Sequence, residues 1–185
     1  KSIIEKTPHM ITDNQTNKVY FSDQILQKYS TEYELLFQCL QENGISSAII
    51  KNTKDIWCRD YMPIQVTKDK FVGFKYEPWY LNQFKSDQKI KTNPVQVCID
   101  NNIKMHFYSD INLDGGNVVK STDKVILTER IFEENQQYHP KQLINKLESI
   151  FEAKVIIIPC WNRDIDMTGH ADGMVRFVND DLVLI

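Results

Sequence analysis

The chain has 185 residues, of which 42% are hydrophobic and 25% charged, with 22 Lys and Arg against 25 Asp and Glu for a formal net charge of -3. This is a globular composition with length enough for one sizeable core, and the acidic balance, with a pI near 5.8, lacks the basic stripe that a nucleic-acid partner would need. No apolar run approaches the ~18 residues of a membrane span, Lys1 to Glu5 is not the start of a signal peptide, and the four cysteines form neither a C-x-x-C pair nor a zinc spacing. No metal, nucleic acid or membrane is expected, and a reducing, cytoplasmic compartment fits.

Along the chain, Tyr29, Tyr33, Leu36, Phe37 and Leu40 recur at helical spacing and Asn43-Gly44 supplies a stop, which predicts a helix ending near residue 43. Ile45 to Ile50 reads as a buried strand. Ile64-Gln65-Val66 and Phe71-Val72-Gly73-Phe74 flank a polar Lys68-Asp69-Lys70 turn, a hairpin signal. Asn93-Pro94 opens a short amphipathic helix, and Lys104 to Tyr108 can follow as a strand. Val118-Val119 and Val125-Ile126-Leu127 form a second hairpin about Ser121-Thr122-Asp123. His139-Pro140 opens a helix with Leu143, Ile144, Leu147 and Ile150 on one face, and Val155 to Ile158 is a β-branched strand.

Residues 172 to 177 and Leu182 to Ile185 look like a third hairpin about Asn179-Asp180-Asp181, its second strand interrupted in mid-run. The order hairpin, helix, strand therefore occurs twice and begins a third time, a weak repeat that implies a quasi-symmetric α/β assembly whose loops converge on one centre. No linker divides the chain, so residues 1–185 are read as one domain. The interrupted strand and the absence of an initiator Met lead to the expectation of a fragment of a longer polypeptide.

Three segments carry chemistry. In Gly169-His170-Ala171-Asp172 a carboxylate stands two residues from an imidazole, which places both on one face if the segment is a strand. If Asp60, from Trp57-Cys58-Arg59-Asp60, and Asp114, from Asp114-Gly115-Gly116-Asn117, join that face, three carboxylates surround one His. Such a set suits a planar cation such as a guanidinium. Each segment also has a plainer role. Asp60 could bridge Arg59 or accept N–H groups in a turn before Pro63, although Trp57 offers an indole face to a delocalised cation; Arg59, on an extended segment, would point away and be structural. Asp114 to Asn117 could be a tight turn using glycine at positive φ, or a place where paired glycines let backbone pass beside a ligand. His170 could be an ordinary buried histidine or a proton shuttle. Asp60, Asp114, His170 and Asp172 could also ligate a metal, but the sequence offers no second His for that site. Trp79, Tyr80 and Trp161 line a pocket or fill a core, and Cys58 and Cys160 read as structural thiols.

With these residues in view, the chain resembles the agmatine deiminase and bacterial peptidylarginine deiminase family of the guanidine-modifying superfamily, over roughly residues 50 to 185. The resemblance lies in Trp57-x-Arg59-Asp60-x-x-Pro63, Asp114-Gly115-Gly116-Asn117 and Gly169-His170-x-Asp172-x-x-x-Arg176-Phe177, in the family's order. It implies a five-bladed α/β propeller (pentein fold) built of ββαβ-type units, of which this chain holds part. It also implies hydrolysis of a guanidinium C–N bond to a ureido product and ammonia through a Cys-thiouronium intermediate, without a cofactor. By the same resemblance Asp60 and Asp172 hold the guanidinium nitrogens, His170 is the general acid and base, and Trp57, Asp114 and Asn117 bind substrate. The partner is then a small-molecule or peptide guanidinium, with a homo-oligomer left open. The family's nucleophilic Cys lies in a later motif that none of Cys39, Cys58, Cys98 and Cys160 matches. Cys58 and Tyr61-Met62 replace small residues, Asp114 stands where many relatives carry Glu, and Tyr76 to Asn82 matches no known specificity segment, so agmatine, arginine and peptidylarginine stay open. An amidinotransferase, or an inactive guanidinium-binding module, would use the same carboxylates and His.

Overall fold

A computed structural model describes residues 10–162 and 164–185. Its strands fall into four small sheets, two of two strands and two of three, and no sheet among the described residues is closed. Strand β1 (Lys18–Ser22) leads through helices α1 (Gln24–Lys28) and α2 (Ser30–Glu42) into β2 (Ser46–Ile50), which pairs with it in parallel. Helix α2 ends near the expected residue, but its apolar stripe stays uncovered: none of its residues is buried, and Phe37 stacks on Tyr33, which meets Phe21 edge-on. The strand expected from Ile45 begins at Ser46 and buries only Ile50. β1 and α1 carry no clean period in the sequence and went unrecognised there.

A helical turn, α3 (Cys58–Tyr61), precedes the first hairpin, β3 (Ile64–Gln65) with β4 (Phe71–Lys75). Then come α4 (Lys85–Gln88), α5 (Pro94–Asp100) and β5 (Phe107–Asn112), the last parallel to β4. Asn93 caps α5, its Oδ1 accepting from Gln96 N–H at 3.0 Å, and Pro94 takes the first helical position. β5 starts three residues later than Lys104, since the chain first bends at His106, and it runs on to Asn112. The second unit repeats this order: β6 (Val119–Lys120) with antiparallel β7 (Lys124–Thr128), then α6 (Arg130–Glu133), α7 (Pro140–Phe151) and β8 (Lys154–Ile158) parallel to β7. A third hairpin, β9 (Arg176–Asn179) and β10 (Leu182–Leu184), follows. The architecture is a mixed α/β fold of small sheets in which hairpin, helix and parallel strand recur.

The main core lies between the two three-stranded sheets. Val72 and Phe74 of β4 and Ile111 of β5 join Val125 and Leu127 of β7 and Leu143, Leu147 and Phe151 of α7 there, with Met10 packed among them. Helix α7 contributes most because its apolar residues recur at three- and four-residue intervals and face one way; Leu143, Leu147 and Phe151 are fully buried. Asn135 is also fully buried and ties the end of β5 to α6: its Nδ2 donates to Asn112 O at 2.8 Å and Ile131 O at 2.9 Å, and its Oδ1 accepts from Asn112 N–H at 2.8 Å. Such satisfied polar groups fix the strand ends from which the site is built. Truncating Leu147 to Ala should lower stability by about 2 to 5 kcal/mol, read by urea unfolding. A loss below about 1 kcal/mol would mean that α7 is not seated in the core as described.

Candidate active site

The three motif segments follow the carboxyl ends of β2, β5 and β8 and meet in space. Their meeting depends on Gly115 and Gly116. A Cβ on Gly115 would collide with the Arg59 carbonyl, and one on Gly116 would collide with His170 Nδ1 and lie 2.7 Å from Asp60 Oδ1. Neither glycine has positive φ; they are needed for close approach, and what they approach is the α3 backbone and the His170 side chain. Gly116 N–H donates to Asp60 Oδ1 at 2.9 Å, and Gly116 O accepts from Asp172 N–H at 3.1 Å, so this glycine pins both flanking segments.

His170 sits at the middle, 7% exposed. Its Nε2 lies 3.0 Å from Asp114 Oδ2 and its Nδ1 3.8 Å from Asp60 Oδ1. The Tyr80 hydroxyl donates to the same Asp114 oxygen at 3.4 Å, and its ring meets the imidazole edge-on with centroids 6.4 Å apart. Asp114 is 3% exposed, and its other oxygen, Oδ1, is buried with no hydrogen-bond partner. A buried carboxylate oxygen left unpaired is costly unless a donor arrives.

Other expected residues are placed differently. His170 and Asp172 are not on a strand: Met174 and Val175 N–H both turn back onto Ala171 O, and the strand begins only at Arg176. Asp60 lies on the helical turn α3, not an extended segment. Asp172 stands apart from the imidazole, its Oδ2 bridging Arg59 Nε at 3.0 Å, while Arg59 Nη2 also donates to Val118 O at 3.0 Å. Arg59 is therefore the strut between α3 and the Asp172 loop. Asn117 directs its Oδ1 to the N–H of Thr128 at 2.9 Å and the Thr128 hydroxyl at 3.0 Å, bracing the turn. Trp57 is 66% exposed beside the site. Among the described residues no group of three or more His, Cys, Asp or Glu is spaced as metal ligands.

Burial sets the electrostatics. Desolvation pushes the Asp60 carboxyl up to about 6, and Asp114 adds to the rise while His170 opposes it. Burial alone would lower His170, but the hydrogen bond to Asp114 and the charges of Asp60, Asp114 and Asp172 together hold it above its ordinary value. Desolvation also raises Tyr80 far above the usual phenol range, so it remains a donor. Glu134, which sequence reasoning passed over because no motif surrounds it, is pushed up to about 7 by burial and then by Asp114. Burial raises the Cys58 and Cys98 thiols to about 11, the wrong direction for a thiolate nucleophile. A clustered pair of carboxyl groups with one open oxygen, beside a His whose protonated form is favoured, is a receptor for a planar, multiply donating cation.

Asp60 and His170 both bind protons more tightly in the folded chain than unfolded. The stability they contribute is therefore present at low pH and lost as pH rises, through about 6 for Asp60. A bound guanidinium offsets that loss by stabilising the ionised carboxylates. The rise in Tm caused by a saturating guanidinium ligand should then be larger at about pH 8 than at about pH 5; equal shifts would contradict this charge assignment.

No curated protein sequence matches the chain. Among solved structures, agmatine deiminase of C. jejuni superposes with a TM-score of 0.70 at 17% identity, covering 95% of this chain and 63% of that one. Agmatine deiminase of Enterococcus faecalis gives 0.58 at 18% identity, covering 90% of this chain and 46% of that one. The chain thus spans less than two thirds of the length of these structures, and at such identities they speak to the fold alone. The model of the family described as Porphyromonas-type peptidyl-arginine deiminase matches residues 3–185, and with the site's three motifs lying inside that match, the chain belongs to this family.

Proposed function

We propose that the whole protein hydrolyses a guanidinium group to a ureido product and ammonia, and that these residues supply the cation pocket and the acid–base group. The observation that carries this reading is the buried, unpartnered Oδ1 of Asp114 beside Asp60 and His170. A guanidinium presents N–H groups in a fixed plane, which lets it satisfy that oxygen and pair with Asp60 at once. Asp172, anchored by Arg59, supplies a further carboxylate edge, and exposed Trp57 supplies a wall for the cation.

In the proposed reaction a cysteine thiolate attacks the guanidinium carbon, and the C–N bond breaks as His170 gives its proton to the departing ammonia. Water then attacks the thiouronium, His170 takes its proton, and the C–S bond breaks to release the ureido product and restore the thiolate. His170 suits the first step because the hydrogen bond to Asp114 and the neighbouring carboxylate charges favour its protonated form. The nucleophile is proposed to lie outside these 185 residues: none of the four cysteines contacts Asp60, Asp114 or His170 through any hydrogen bond of the structure, and the solved relatives are longer. The repeated hairpin, helix and strand units are likewise proposed to be part of one five-bladed propeller domain, and the protein to be cytoplasmic; no helix among the described residues is long and apolar enough to cross a membrane.

In the whole protein, His170→Ala should lower kcat by about 100- to 10,000-fold with little change in substrate Kd, and EDTA should have no effect. Chelator-sensitive activity, or a variant that is less stable yet catalytically normal, would overturn the assignment. Asp60→Asn keeps the shape but removes the charge and should cost about 2 to 5 kcal/mol in kcat/KM; an unchanged value would reduce Asp60 to a turn residue. The 185-residue chain alone should release no ammonia from agmatine or an arginine peptide above its His170→Ala control.

A further inference from the structure

A cavity of about 680 Å³ is bordered by both members of the Arg59–Asp172 strut and by Lys120. Lys120 ends β6 and reaches across to the other three-stranded sheet, where its Nζ donates to Gln65 O of β3 at 2.8 Å. Among the described residues Nζ makes no other hydrogen bond and no carboxylate pairs with it. Lys70, Lys91, Lys124 and Lys146, by contrast, each sit on a carboxylate, of Glu152, Glu77, Asp123 and Asp110. The other charges of the cavity are committed elsewhere. Arg59 holds Asp172, Arg176 Nη2 holds Asp13 Oδ2 at 3.0 Å, and Asp180 accepts from the Thr122 N–H at 2.9 Å and hydroxyl at 2.7 Å. Val175 and Phe177 add an apolar wall.

A half-buried ammonium with one carbonyl partner, facing a second cation, is disfavoured relative to its neutral amine. Desolvation lowers Lys120 to about 8, with Asp13 opposing the shift and Arg59 assisting it. Deprotonation costs the fold little here, since one N–H of the neutral amine still donates to Gln65 O and the lone pair is freed. Loss of solvent and a neighbouring cation are the two general means by which a lysine becomes a nucleophile, and both meet at this side chain. A lysine that only tied β6 to β3 would need no space beside it, whereas Lys120 borders a cavity wide enough for a small reagent.

We infer that Lys120 is a site of acyl modification, its amine taking a small activated acyl group from an acyl phosphate or a thioester that enters this cavity. The lone pair attacks the carbonyl carbon and forms the C–N bond. The bond from that carbon to the phosphate oxygen or the thiol sulfur breaks, the phosphate or thiolate leaves with the electron pair, and the proton released by nitrogen passes to water. The product amide is neutral, so its N–H keeps a donor for Gln65 O while the repulsion from Arg59 ends. Through Arg59 the modification reaches the strut that holds the Asp172 loop. The site goes beyond the guanidinium reading and does not depend on it.

The test is competitive labelling of the folded whole protein with limiting acetyl phosphate and, in a second series, with a small acetyl thioester, both at about pH 7.5. Mass spectrometry of the peptides follows each lysine separately. Lys120 should be acetylated about tenfold faster than the exposed Lys89 and Lys141, and in urea-unfolded protein this preference should vanish. The donor that labels Lys120 faster identifies the source of the acyl group. A role confined to tying the two sheets together predicts the reverse order, with half-buried Lys120 among the slowest lysines. Labelling of Lys120 no faster than Lys89 and Lys141 with both donors, or a preference that survives unfolding, overturns the inference. Because no substrate is present in the assay, either result is read independently of whether the protein proves to be a deiminase.

Discussion

Everything at the site depends on the close passage of the Gly115-Gly116 backbone between α3 and the His170 loop. With side chains at those positions Arg59, Asp60 and His170 could not occupy their places. The passage brings acidic groups into a nearly dry space, where their mutual repulsion is not screened by water. The structure answers with local donors: Gly116 N–H for Asp60, His170 and Tyr80 for one oxygen of Asp114, and Arg59 for Asp172. The donors run out at Asp114 Oδ1. That shortfall gives the cluster its chemical character, since the missing partner has to be a donor and, given the surrounding charge, a cation.

Pre-organisation of this kind is what a catalyst of guanidinium chemistry needs. The cation must be fixed in one plane before its carbon can be attacked, and the proton for the leaving group must already be in place. The braces lie one layer back. Thr128 holds both Asn117 and Gly169, so the loops that carry Asp114 and His170 are fastened to the same strand, β7, and Asn135 holds the end of β5 against α6. A rigid support of this sort lets a site on loops keep its geometry.

Much of this was legible in the sequence, and the reasons are specific. Helices α5 and α7 announce themselves through Asn93-Pro94 and Pro140 and an apolar period that buries Leu143 and Leu147, and both inner hairpins through polar turns between β-branched runs. The three motifs named the residues that meet at His170. Spacing could not say how they meet: an i, i+2 pair reads as a strand face, whereas Ala171 nucleates a turn that carries Asp172 out to Arg59. Asn117 likewise reads as a ligand contact until Thr128, distant in local sequence, takes its oxygen. Glu134 was invisible because its meaning comes from tertiary burial. β1 and α1 were missed because their weak periods acquire significance only through parallel pairing with β2.

The central claim is that Asp114 presents an open carboxylate oxygen to a guanidinium. The most direct measurement is the affinity of a guanidinium-bearing ligand for the whole protein and for its Asp114→Asn variant, with the folded state of both verified by thermal melting. Replacing one oxygen by an amide nitrogen substitutes a donor for an acceptor without changing the volume, so binding should fall by about tenfold or more. A folded Asp114→Asn variant that binds the ligand as tightly as the wild type would contradict the account.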